Sequence, residues 1–265
     1  MIGRYPLLFA GALLVICSFA ETATAQLSDF RVETDVLVPN EPKPVQQTLT
    51  LFKNGVAYDF SRDEPDQITM VDPIRMRIVL LDAERKVQTQ VDLSGLNALM
   101  DSARNQAATT GLSIYLEDAR TVGFDADTKK VTVGAKVLRY EATLQEPREA
   151  KMAAHFAKFA DASAYLNAWR AASPPPFARI ALNQAIAEQT ALPDEITRTT
   201  FIRDKDQVVG EHVVKCRLHS NWRLSKDDEL QIQEIGKMLV NFATLSNAEY
   251  YQPPQVATGQ ANAPK

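Results

Sequence analysis

The chain has 265 residues, a formal net charge of −4 and 45% hydrophobic residues, enough apolar material for a substantial core. Acidic and basic residues are interspersed with no long basic run. This argues against nucleic acid or an anionic membrane surface as the main partner.

Residues 1–25 have the anatomy of a secretory signal peptide. Arg4 supplies a basic start, Leu7 to Ala20 form an apolar run broken only by Gly11 and Ser18, and Ala23-Thr24-Ala25 offers a small-x-small cleavage site. The run is shorter than the about 20 residues that cross a bilayer. Cleavage after Ala25 and export to the periplasm or exterior are therefore expected. A retained anchor, or lipidation at Cys17 within Leu14-Val15-Ile16-Cys17, is the alternative. Cleavage removes Arg4 and Glu21 together, leaving the charge balance unchanged, and leaves Cys216 as the single cysteine. An intrachain disulfide is then impossible, so stability must come from the core. Residues 26–251 are expected to form one α+β domain, followed by a disordered tail over 252–265 that is proline-bearing and poor in large apolar residues.

"FRVETDVLV", residues 30–38, alternates as a half-buried strand. "LTLFKNGVAYDF", residues 49–60, reads as a hairpin on Asn54-Gly55, the dipeptide that best tolerates the positive φ angles of a tight turn. That turn sets Lys53 against Val56, Leu51 against Tyr58 and Leu49 against Phe60 on an oily face, and Thr50 against Asp59 on a mostly polar one. "QITMVDP", "RMRIVLLD" and "VQTQVDL" continue the strands, and the middle one is apolar in both alternation sets, as for a strand covered on both faces. "SGLNALMDSARNQAA" has helical spacing through Leu96, Leu99, Met100, Ala103 and Ala107. "LSIYLE", "TVGF", "KVTVG" and "KVLRYEATL" read as a meander of strands. Two helices follow: one from near Pro147, with Met152, Phe156, Phe159, Ser163 and Leu166 on a stripe, and "FARIALNQAIAEQ" after Ser173-Pro174-Pro175-Pro176. "DEITRTTFI" and "VVGEHVVKCRLHSNW" return to strand. Ser225 and Asp228 suggest a capping box opening a helix to about Leu245. The total of about eleven strands joined by short turns implies one large antiparallel sheet, curled, with the helices packed on its concave face.

The sequence carries no recognisable reaction centre. His212 and Cys216 share a strand face but lie roughly 13 Å apart along it, beyond the reach of a nucleophile–base pair. His219 has the opposite parity, and His155 has no histidine or cysteine one turn on for a zinc pair. Cys216 reads as a small buried hydrophobe. Asp125-Ala126-Asp127-Thr128 lacks the glycine and distal glutamate of a calcium loop and reads as a turn. Asp227-Asp228-Glu229 suits a first helical turn. Phosphate loops and a G-x-S-x-G elbow are absent. Neither a metal nor a cofactor is expected, and no residue is assigned a catalytic role. What remains is apolar surface: Leu49, Leu51, Tyr58 and Phe60 on the hairpin and Phe156, Phe159 and Leu166 on the middle helix. These residues either pack together as plain core or line a lipid cavity.

"TLTLFKNGVAYDF" through "ITMVDPIRMRIVLLDAERKVQTQV", together with "ALPDEITRTTFI", resembles the strand succession of the periplasmic lipoprotein localisation factors and their half-barrel relatives. The resemblance implies a curled antiparallel sheet around helices, with an apolar cavity for acyl chains. The expected function on that basis is non-catalytic binding of a lipid, acyl chain or lipoprotein by an exported soluble protein. The alternative is an envelope interaction or structural protein with a closed core; an exported enzyme of unfamiliar type is a third reading.

Overall fold

The computed structural model describes residues 28–170, 174–205 and 207–252. The signal peptide with its cleavage site, Cys17 and the tail beyond Gln252 lie outside the described residues.

The elements run in order as β1 (Phe30–Leu37), β2 (Gln46–Lys53), β3 (Val56–Ser61), β4 (Gln67–Asp72), β5 (Arg77–Asp82), β6 (Val87–Asp92), α1 (Leu93–Ala107) and α2 (Ser113–Arg120). They continue with β7 (Val122–Asp125), β8 (Lys130–Val133), β9 (Leu138–Gln145), α3 (Ala150–Trp169), α4 (Phe177–Glu188), β10 (Leu192–Asp204) and β11 (Gln207–Asn221). The chain closes with α5 (Lys226–Asn241), β12 (Ala243–Thr244) and α6 (Asn247–Tyr250). All the strands join one 12-stranded sheet, in the order β12-β6-β5-β4-β3-β2-β1-β11-β10-β9-β8-β7. The sheet is not closed, and every pairing is antiparallel except that of β12 with β6.

The β2–β3 register is the one that Asn54-Gly55 dictates: Lys53 opposes Val56, Leu51 opposes Tyr58, Leu49 opposes Phe60 and Thr50 opposes Asp59. Asn54 and Gly55 adopt φ of 52° and 79°, the left-handed values of a hairpin turn whose twist matches the strands. Strand alternation then sorts the apolar residues into two cores. The inner face, carrying Phe30, Val32, Phe52, Ala57, Val71, Ile78 and Leu80, is covered by residues of α1, α3 and α4. The outer face, carrying Val56, Ile68, Met70, Val79 and Leu81, is covered by Ile235, Met238 and Leu239 of α5. Strand β5 is thus buried on both sides, as its two apolar alternation sets require.

Helices therefore lie on both faces of the sheet, which corrects the expectation of one concave helical layer. The covering of α5 is secured by charge as well as by packing. Its Ser225–Asp228 capping box is formed, and Arg31 of β1 donates to both oxygens of the buried Asp228 at 3.0 and 3.1 Å. Lys53 pairs with Glu229 at 3.1 Å. Helix α5 ends at Asn241, short of Leu245, because the chain turns across the sheet edge. There β12 pairs with β6, and Leu245 and Tyr250 fold back onto the inner core.

A second correction concerns "LSIYLE". It belongs to helix α2, whose Leu116 packs with Ala107 and Phe177, a partnership that sequence alternation does not reveal. Helix α2 also delivers Asp118, fully buried, to the β8–β9 loop. Its carboxylate accepts backbone hydrogen bonds from Ala135, Lys136, Val137 and Leu138 at 2.7–2.9 Å. Gly134 begins that loop at φ 85°, where a Cβ would fall 2.0 Å from the Leu138 carbonyl oxygen. Met76, expected in β5, sits instead in the preceding turn at φ 50°.

Candidate functional site

The hairpin and the middle helix do not share a lining. Cross-strand pairing puts Leu49, Leu51, Tyr58 and Phe60 on the outer face, where Tyr58 and Phe60 pack into the α5 core and Leu51 is completely buried. Phe156, Phe159 and Leu166 belong to the inner core, one sheet thickness away. The grouping of these seven residues around one cavity is therefore corrected, because residues of opposite parity on a strand cannot face the same space. The inner partners of the α3 aromatics are Phe30 and Phe52. These two stack at 4.1 Å with an interplanar angle of 2°, and Phe159 meets Phe52 edge-on at 5.6 Å. In this aromatic cluster Phe30, Phe52 and Phe156 are buried core and Phe159 packs against them half-buried.

Farther along the central strands the inner face changes character. Helix α1 rests on β5 and β6 and helix α4 on β8, β9 and β10, with α3 between α1 and α4. On the strands between those flanks, Thr34 of β1, Thr48 of β2, Asp59 of β3, Arg198 of β10 and Val214 and Cys216 of β11 point inward by register, and all are only half-buried. They make a half-buried strip of the inner face, here called the trough, whose surface mixes hydroxyl, apolar and charged groups. Asp59 accepts a hydrogen bond from the Thr50 hydroxyl at 2.7 Å, yet burial pushes its carboxyl up to about 6.

At the β10–β11 side of the trough, α3 and α4 contribute a polar cluster. Arg179 Nε donates to Asn183 Oδ1 at 2.9 Å, and Asn183 Nδ2 donates to Asp161 Oδ1 at 2.8 Å. Burial raises the Asp161 carboxyl, partly offset by the Asn183 hydrogen bond and the Arg179 charge. The Tyr165 hydroxyl is raised by burial and then by Asp161. Across from these, Arg198 stands between Tyr140 and Val214 on the sheet, with its Nε buried and without a hydrogen-bond partner. Burial raises the Cys216 thiol, while the charges of Arg179 and Arg198 both act to lower it. Cys216 is thus a weakly acidic thiol beside two guanidinium groups, set to remain protonated at neutral pH.

The remaining suspects do not converge. His212 is exposed; His219 lies 3.5 Å from Asp35 on the outer face; His155 sits half-buried on α3, its imidazole held below the usual range by burial and then by Lys158 and Lys151. Asp125 Oδ1 accepts from the amides of Asp127 and Thr128, which makes that segment a hydrogen-bonded turn. Among the described residues, no group of three His, Cys, Asp or Glu side chains could hold a metal. A separate open cleft of about 480 Å³ lies at the sheet end between Phe124, Leu144, Arg148 and Thr190, remote from the polar cluster in the fold. No described helix is long and apolar enough to cross a membrane.

Compared with known proteins, the chain matches no family model and no curated relative. The site must be read from its own chemistry. Arg179, Asn183, Asp161 and Tyr165 carry no motif spacing that announces them. One signal is visible in "EITRTTFI": Arg198 occupies the alternation set of the buried Ile196, so a strand there sends a guanidinium into the core side.

Proposed function

We propose that the protein is an exported, non-catalytic carrier that shields the acyl chain of a lipid or lipoprotein. On this reading the sheet curls as a half-barrel around α1–α4, and the ligand lies along the inner face of its central strands. The observation that carries the reading is the trough itself. Thr34, Thr48, Arg198, Val214 and Cys216 face inward on β1, β2, β10 and β11 and stay half-buried, although helices cover the same face to either side. The resemblance of residues 48–91 and 191–202 to the half-barrel carriers supports the same conclusion. Burial of an acyl chain there contributes about 25 cal/mol per Å² of apolar surface, without any covalent step.

Native mass spectrometry of the protein purified from its own cell envelope, with organic extraction of the same sample, tests the proposal. A co-purifying acyl species bound one to one is the expected result. A bare mass, with no uptake of an added apolar fluorophore, overturns it. That outcome favours the second reading, an envelope structural protein whose helices fill the sheet, for which the stacked Phe30–Phe52 pair with Phe159 against it speaks.

A further inference from the structure

The geometry points to an anion-recognition site in the trough, in which Arg198 of β10 and Arg179 of α4 bind the carboxylate or phosphate head of an acyl ligand. This inference rests on the carrier reading and specifies its ligand class as an anionic single-chain amphiphile.

Two guanidinium groups lie on the inner side of β10: Arg198 points inward next to the Ile196–Cys216 pair, and α4, which carries Arg179, packs over the same strand. Neither Arg198 nor Arg179 forms an ion pair among the described residues. Arg179 is held by Asn183, which fixes one edge of its fork and leaves its terminal nitrogens available. Arg198 has no partner at all for its buried Nε–H. A buried donor left unsatisfied carries the full cost of its lost hydration, and an arginine on a sheet face flanked by Tyr140, Val214 and Ile196 is a costly placement. Asp161, whose carboxyl feels the Arg179 charge, forms no ion pair with it and is engaged with Asn183. An oxyanion bound at Arg198 satisfies its buried Nε–H and also draws on the positive charge of Arg179 from α4. The planar guanidinium fork suits carboxylate and phosphate geometry better than any neutral head group. The apolar neighbours of Arg198 and the rest of the trough then receive the chain.

The test uses delipidated protein purified from the envelope, with cis-parinaric acid as the fluorescent probe and its uncharged alcohol as comparator. Wild-type protein is expected to bind the acid at least about tenfold more tightly than the alcohol, as loss of a charge-assisted hydrogen bond implies. Arg198→Gln should abolish that preference by lowering affinity for the acid at least about tenfold, and Arg179→Gln should reduce it. Displacement by a fatty acid against a lysophosphatidic acid of equal chain length distinguishes a carboxylate from a phosphate head. Equal binding of acid and alcohol by wild type overturns the anion site and leaves the carrier reading standing. Binding of neither probe overturns both. Should Arg198→Gln fail to fold, alkylation of Cys216 in wild type decides the matter. The acid must protect the thiol at concentrations about tenfold below the alcohol, and equal protection sinks the site.

Discussion

Asp59 is an acid whose folded pKa, about 6, lies above its unfolded value near 4, so the folded state binds the extra proton between those limits. Its contribution to stability therefore falls as pH rises from about 4 through 6. Asp59→Asn keeps an acceptor for the Thr50 hydroxyl and removes the charge. We expect it to raise stability at pH 7–8 by about 1–3 kcal/mol, allowing for the partial exposure of the group, and to flatten the slope between pH 4 and 6. Urea midpoints across that range check both effects, and an unchanged slope refutes the assignment. Asp118 has the opposite character, since four backbone amides point at its carboxylate in a buried loop. Asp118→Ala strands those donors and should cost about 3–5 kcal/mol, read as a large drop in the thermal midpoint. A loss below about 1 kcal/mol would show that the loop is held by other means.

At the scale of elements, α5 decides how the first half of the sheet is sealed. Ile235 is 1% exposed against Val56, Met70, Val79 and Leu81, and no other described helix reaches that face. Ile235→Ala is expected to destabilise by about 2–4 kcal/mol while leaving ligand binding on the inner face unchanged. Chemical unfolding and probe titration of the same variant separate the two effects, and weakened acyl binding would place the ligand against α5 instead. The β2–β3 hairpin explains why the distinction matters. Its oily side packs against the protein's own helix α5, whereas the ligand-facing candidates lie on the side of Thr48 and Asp59.

For the whole molecule, the two halves of the sheet are built differently. The half from β6 to β2 is sandwiched between α1 and α3 on one face and α5 on the other. In the half from β8 to β11 the outer face is instead a charged surface. Glu195 pairs there with Lys215 at 2.9 Å and Arg217 at 3.1 Å, and Lys130 pairs with Glu141 at 2.5 Å. The trough lies where these halves meet, at β1 and β11, the strands that bring residues nearly two hundred positions apart into register.

Local chemistry made much of this legible in advance. Asn54-Gly55 set the hairpin register because only a few residue pairs tolerate two positive φ angles. The double apolar alternation of β5 announced coverage on both sides, and Ser225–Asp228 announced the start of α5. These are properties of contiguous residues. Which helix covers which face is not such a property, since alternation marks a side as apolar without naming its partner. Leu51 and Phe156 could be assigned to one lining only by assuming that partner, and the chain's return along the outer face as α5 decided otherwise. The arrival of Arg179 on the side of Arg198 is likewise tertiary. Strand parity sends the Arg198 guanidinium inward, but only the packing of α4 over β10 brings Arg179 to the same face, because alternation sets the face of a side chain and not the helix that lies over it.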